Sequence, residues 1–281
     1  PLAAMEGRAI EVVLGRDFFA SRAIQIDYPN RRVRIWPGGE FQQPAGVPSI
    51  GYRLINNLPH VDAYFEPEPG KRVEVIAMVD TGATTSATVT ARASKKLGLA
   101  EALKDTPILP QSGGVGGMTM GRKGRFASLE IAGTRLSSPV MEVIATETGA
   151  LGLESTYDLL IGSGVLERFV VTFDGVNKRL YLQPGPNIGV TFESDMLGAS
   201  WVAQTNDLAS FSIASVLKGS LAETTGLKAG DKLISVDGVP AKEMRLGQLK
   251  RSFRKDGHET TIVVDRNGER HEFKIRLKRL V

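Results

Sequence analysis

The chain has 281 residues, 42% of them hydrophobic and 23% charged, so it has ample material for packed cores and does not read as disordered. It has no cysteine, which removes disulfides, thiol catalysis and Cys-based zinc sites together. The net charge is +4; residues 201–281 carry 15 Lys/Arg against 10 Asp/Glu, but the excess is scattered, with no basic run or interleaved aromatics, and does not suit nucleic acid.

In chain order, Pro1-Leu2-Ala3-Ala4 does not look like a natural start, and no signal-peptide pattern is visible. No window approaches about 18 consecutive apolar residues, so no stretch reads as a membrane-spanning helix. An internal repeat comes next. Leu14-Gly15-Arg16-Asp17-Phe18-Phe19, continuing to Pro37, aligns without a gap on Ile161-Gly162-Ser163-Gly164-Val165-Leu166, continuing to Pro184, at an offset of 147. Gly15/Gly162, Asp27/Asp174, Asn30/Asn177, Arg32/Arg179 and Pro37/Pro184 are identical. Each copy reads as an apolar run, a glycine, a helical turn and a hairpin bent at Asp-x-x-Asn. Asp17 and Asp27 are therefore hairpin and turn residues.

Between the copies, 38–48 is rich in Gly, Pro and Gln, and 38–58 reads as a linker. His60 to Phe65 alternates as a strand, and Arg72 to Val79 is a second strand that runs into Asp80. Val89 to Leu97 has helical spacing and stops at Gly98. A Gly-dense segment, Gly113-Gly114-Val115-Gly116-Gly117, follows, then strands at 125–131, 140–145 and 159–161. From about residue 190 the composition changes to a third unit with strands at 197–202 and 211–216, a short capped helix at 220–227, a helix at 246–253, and strands at 260–264 and 271–277 across an Asn267-Gly268 turn. His60, His258 and His271 are isolated and read as surface or cross-strand residues, so no metal site is expected.

Asp80 is an acid in an odd place: an apolar strand ends on it, and Thr81, Gly82, Ala83, Thr84 and Thr85 follow at once. A carboxylate buried there must find donors or shift its pKa. The run Asp80 to Thr84, the Gly-rich segment and Leu159-Leu160-Ile161-Gly162 together resemble one lobe of a retropepsin-like aspartic protease. The resemblance implies a mainly β fold in which two such aspartates face each other and share a proton, with neither metal nor cofactor. By resemblance Asp80 carries the chemistry, Thr81 locks the two Asp loops together, Gly82 brings its backbone to the pair and Thr84 hydrogen-bonds the carboxylate. Gly113, Gly114, Val115, Gly116 and Gly117 would be the flap over a polypeptide substrate.

The C-terminal unit is similar to a PDZ domain of the kind fused to bacterial proteases, on Ser220-Leu221-Ala222 and Gly226 to Gly238. That implies an α+β domain that captures a C-terminal peptide, with Leu197, Gly198, Ala199 and Ser200 as the carboxylate loop and the helix 246–253 as groove wall. The expected organisation is 1–37 as the remnant of a first lobe, 38–58 as linker, 59–186 as a complete lobe and 190–281 as the PDZ-like domain. Asp80 carried back by the offset falls about 67 residues before Pro1, so the partner aspartate is expected in a missing N-terminal segment, or in a second copy through homodimerisation. Export to the bacterial periplasm or secretion is the expectation for localisation. The rival functional reading is an inactive peptide-binding or scaffolding protein built on a degenerate protease lobe.

Overall fold

The computed structural model describes residues 2–114 and 117–279. They fall into two units, one formed by 14–192, the other by 193–281 together with 1–13, which contain the helix α1 (Leu2–Glu6). The N-terminal stretch expected as one piece, 1–37, is thus divided after Val13. No helix among the described residues is long and apolar enough to cross a membrane.

The unit 14–192 begins with α2 (Arg16–Ala20), β1 (Arg22–Asp27) and β2 (Arg32–Pro37). The expected linker is partly strand, carrying β3 (Ser49–Gly51) and β4 (Arg53–Ile55), because each finds a ladder to join: β3 pairs with β15 (Arg179–Pro184) and β4 with β5 (Leu58–Glu66). The large sheet continues with β6 (Val73–Val79), β7 (Ala87–Val89), β8 (Leu109–Gly114), β9 (Gly117–Arg125), β10 (Ser128–Ile131), β11 (Thr134–Ser137), β12 (Val140–Ile144) and β13 (Leu159–Ile161). Its order is β11-β10-β5-β6-β13-β7-β12-β9-β8, with β4 beside β5. β13 lies between β6 and β7, parallel to the first and antiparallel to the second, and its three residues are all buried. That double burial is why it reads as a continuous apolar run.

The helix expected from Val89 begins later, as α3 (Ala91–Leu97), since Val89 is fully buried in β7 opposite Leu159. Thr90 caps it by accepting from the Ala93 amide at 3.3 Å. Gly98, at φ 68°, ends it and α4 (Leu99–Ala102) follows. Gly113 and Gly114 close β8 and pair with Met118 and Gly117, so the Gly-dense segment is a hairpin; Val115 and Gly116 lie outside the described residues.

A second sheet of order β2-β1-β14-β15-β3 is completed by α5 (Ser163–Leu166) and β14 (Phe169–Asp174). It joins the two repeat copies, α2 and α5, β1 and β14, β2 and β15 being equivalent elements. Both bends close alike: Asn30 donates its amide to Asp27 at 3.1 Å and Asn177 its amide to Asp174 at 3.0 Å. Arg31 and Lys178, equivalent positions, both take positive φ, 55° and 51°. β1 and β14 pair antiparallel with Ala23 opposite Asp174, Gln25 opposite Thr172 and Asp27 opposite Val170. Under the 147-residue offset this register is symmetric about Gln25 and Thr172, which are equivalents of each other, so a pseudo-two-fold axis passes between them.

The other unit is a six-stranded sheet of β16 (Ala199–Gln204), β17 (Asp207–Val216), β18 (Lys232–Val236), β19 (Val239–Pro240), β20 (Glu259–Arg266) and β21 (Glu269–Arg276), with α6 (Leu221–Thr225) and α7 (Leu246–Ser252). Leu246, Leu249 and Phe253, at i, i+3 and i+7, bury the inner face of α7 with Trp201, Phe211 and Ile262. Each such side chain contributes about 1.5–3 kcal/mol by leaving water. Ser220 caps α6 by accepting from the Glu223 amide at 3.2 Å. Asn267 and Gly268, at φ 56° and 88°, form the two-residue turn expected between β20 and β21. The protein is mainly β, with 42% strand and 14% helix.

Candidate active site

β6 and β13 run parallel and end side by side, Val79 opposite Ile161, so the chain leaving β6 must turn against the chain leaving β13. Four backbone hydrogen bonds hold the turn. The Asp80 amide donates to the Ile161 carbonyl at 3.0 Å, and the amides of Gly162, Ser163 and Gly164 donate to Ser86, Ala83 and Thr85 at 2.9, 2.8 and 3.0 Å. Such contact leaves no room for side chains: a Cβ on Gly162 would lie 2.4 Å from the Thr85 carbonyl oxygen, and one on Gly164 2.6 Å from the Ser86 hydroxyl. Glycines in the second chain thus let the loop 80–86 be fixed by backbone alone.

The Asp80 side chain is half-buried. Its Oδ1 accepts from the Gly82 amide at 2.8 Å. The expected donor, Thr84, is exposed; the carboxylate instead takes the amide two residues on, that of Gly82, as aspartates in turns do. Thr81 and Gly82 are exposed as well. Among the described residues no Lys, Arg or His forms an ion pair with Asp80. The carboxylate is therefore held by an amide and open to one side, the arrangement a group needs if it is to exchange a proton with water or with a second acid.

Two phenols feel its charge. Burial, then the carboxylates of Glu167 and Asp80, push Tyr28 up to about 12. Burial first and Asp80 second raise Tyr157, which packs with Met78 and Leu160 under the loop. Neither tyrosine was marked by the sequence: Tyr28 sits in a hairpin bend of the first copy, and Tyr157 lies in the irregular run before β13. His60, expected at a surface or cross-strand position, is buried opposite Met78 and tilted against Tyr157, with Nδ1 2.8 Å from the Leu58 carbonyl. Behind the loop the Thr85 and Thr88 hydroxyls are 3.3 Å apart, and Thr88 faces the buried Glu142. That acid within Val140-Met141-Glu142-Val143-Ile144 was the available signal, an ionisable group on a five-residue buried strand. Among the described residues no group of three or more His, Asp or Glu is arranged to hold a metal.

In the second unit, Gly198 takes φ 79° and its carbonyl accepts from Leu217 at 2.9 Å, as Leu197's does from Ala222. Leu197 and Ala199 are buried and Ser200 is exposed.

Residues 69–164 match the family model described as aspartyl protease, and residues 190–265 match the PDZ domain model. Among solved structures the chain is similar to a retropepsin-like aspartic protease from Rickettsia conorii, at 22% identity over 50% of this chain and 100% of that one, with a TM-score of 0.36. It is also similar to the PDZ domain of EpsC from Vibrio cholerae, at 21% identity over 28% of this chain and 75% of that one, TM-score 0.23. A photosystem II D1 C-terminal processing protease matches at 18% identity over 33% of this chain, TM-score 0.30; the chain spans a quarter of that protein's length, 25%. No curated protein matches.

Proposed function

We propose that this chain, which joins a retropepsin-like aspartic-protease domain to a PDZ domain, is the aspartate-bearing part of an endopeptidase in which Asp80 is one member of a two-carboxylate pair. The observation that carries the reading is the fixed loop 80–86, an Asp-Thr-Gly turn at the end of a central strand, stitched to Gly162 and Gly164. In such a pair one carboxylate takes a proton from water while the other, protonated, polarises the scissile carbonyl; adjacent like charges cannot both ionise cheaply, which is what keeps one proton between them. The Gly82 amide holds Oδ1 of Asp80, and the Asp80 charge acts on Tyr157, which is buried with Met78 and Leu160.

The partner aspartate comes from a lobe built on the first repeat copy. Support lies in a comparison of equivalent positions. Val33 and Ile35 are 62% and 48% exposed, whereas Leu180 and Leu182, their equivalents, are 1% and 0% exposed. Leu14 is exposed in the same way against fully buried Ile161. The second copy buries these positions; an equivalent lobe would cover them in the first. A homodimer of the second lobe through β14 fits less well, because the strand position at the pseudo-two-fold axis is already taken by β1.

The test is a peptidase assay on the chain extended by the polypeptide encoded ahead of residue 1. Cleavage of peptide substrates, inhibition by a statine-type transition-state mimic and loss of turnover in Asp80→Asn are expected. Full activity of Asp80→Asn would overturn the mechanism.

A further inference from the structure

The second unit offers a groove whose chemistry differs from that expected for capture of a chain terminus. β16 is the outer strand of its sheet, bonded to β17, and α7 packs beside it through Leu246, Leu249 and Phe253; Trp201 of β16 stacks on Phe253 at 6.2 Å. A strand edge beside a helix can accept an extra segment of polypeptide, and a free carboxylate would be held by unpaired loop amides at the end of the groove. Here two amides of this stretch are engaged. Met196 donates to the Phe253 carbonyl at 3.0 Å, and Gly198 donates to Oδ1 of Asp195 at 2.7 Å. A carboxylate of the domain itself thus holds the Gly198 amide.

The groove also has an occupant. α1 lies along β16, and its end closes where the Arg8 amide donates to the Ala3 carbonyl at 3.2 Å. Gly7, at φ 63°, crosses the start of α7 so closely that an added Cβ would sit 2.5 Å from Cβ of Leu246. The Glu6 carboxylate acts on Lys250 of α7, favouring its ammonium against the effect of burial. The contact is thus made by small residues, Ala3, Ala4 and Gly7, and one acid, Glu6.

We infer that the groove between β16 and α7 binds an internal polypeptide segment, with residues 2–7 as its resident occupant, and that Asp195 discriminates against free C-terminal carboxylates. This rests on the second unit alone and stands or falls separately from the peptidase reading. A ligand would be a stretch with small residues at the helix crossing and an acidic side chain for Lys250, in a protein loop or linker.

The experiment titrates the full chain with a fluorescein-labelled hexapeptide, Ser-Ala-Ala-Leu-Ala-Val, made with a C-terminal acid and with a C-terminal amide, and reads anisotropy together with amide chemical shifts of β16 and α7. In the wild-type chain the acid binds no tighter than the amide. Gly7→Val, which cannot keep the crossing, should tighten the amide about tenfold by removing the resident competitor. In that background Asp195→Ala, which frees the Gly198 amide and removes the charge, should tighten the acid about tenfold and leave the amide unchanged, with Asp195→Asn, which keeps an acceptor for Gly198, in between. Trp201 emission checks that each variant is folded. Tighter binding of the acid to the wild type, equal affinities in wild type and Gly7→Val, or no binding to any folded variant would each overturn the proposal.

Discussion

Gln25 and Thr172, 147 residues apart and equivalent in the two repeat copies, face each other across β1 and β14, and the Gln25 side-chain amide donates to the Thr172 hydroxyl at 3.2 Å. The contact sits on the pseudo-two-fold axis and joins the copies at the one point where each meets its own counterpart. Gln25→Ala and Thr172→Val should each lower stability by about 0.5–1.5 kcal/mol, as expected for one hydrogen bond. The double variant should cost little more than either alone, since both remove the same bond. Denaturant unfolding of the four proteins measures this, and strict additivity would show that the contact contributes nothing of its own.

Gly162→Ala should injure the site from behind. The new Cβ would be 2.4 Å from the Thr85 carbonyl oxygen, a backbone atom held by Gly164 at 3.0 Å. Overpacking of this kind costs about 1–3 kcal/mol. The loop 80–86 should move with it, which hydrogen exchange at Gly82 and Ser86 would reveal as faster exchange than in the wild type.

Asp80→Asn should be visible without any substrate. Burial is the main cause that holds the Tyr28 phenol at about 12, followed by Glu167 and Asp80, so removal of one charge should lower its titration midpoint part of the way towards 10. Tyr157 should move in the same direction. Because the folded state raises Tyr28, the neutral form is favoured by folding; that stability is present below pH 10 and declines as pH rises from 10 towards 12. Absorbance titration near the phenolate band reads both effects, and unchanged midpoints would place Asp80 away from these rings.

Asp231 in the second unit is buried and paired in two places with Arg266, Oδ1 to Nε at 2.6 Å and Oδ2 to Nη2 at 2.7 Å, and it also accepts from the Lys228 amide at 2.9 Å. Burial pushes the carboxyl up, but the Arg266 and Lys228 donors outweigh it and hold the carboxyl below its usual value. A depressed folded value means stability present above the unfolded carboxyl value and lost as pH falls through the folded one, so this unit should weaken below about pH 4. Asp231→Asn should cost about 3–5 kcal/mol at neutral pH, because it strands the Arg266 guanidinium, and should flatten the acid limb of a melting-temperature profile.

The sequence by itself determined the elements whose signal is local. Alternating burial marked β5, the apolar run marked β13, Gly98 stopped α3, and Asn267-Gly268 set the last hairpin. The repeat, with Asp27-Asn30 and Asp174-Asn177 closing equivalent bends, was legible for the same reason, since each bend is satisfied by its own side chains. Asp80 stood out because a strand cannot end on an acid without a donor. The donor it takes is the Gly82 amide, two residues on, which is the local bond an aspartate makes to its own backbone, and not the Thr84 hydroxyl that the resemblance implied. Tertiary structure decided that β1 pairs with β14 and that β3 joins β15 as a strand. Those outcomes depend on atoms distant in sequence competing for the same hydrogen bonds, a competition whose winner is fixed by geometry and not by residue type.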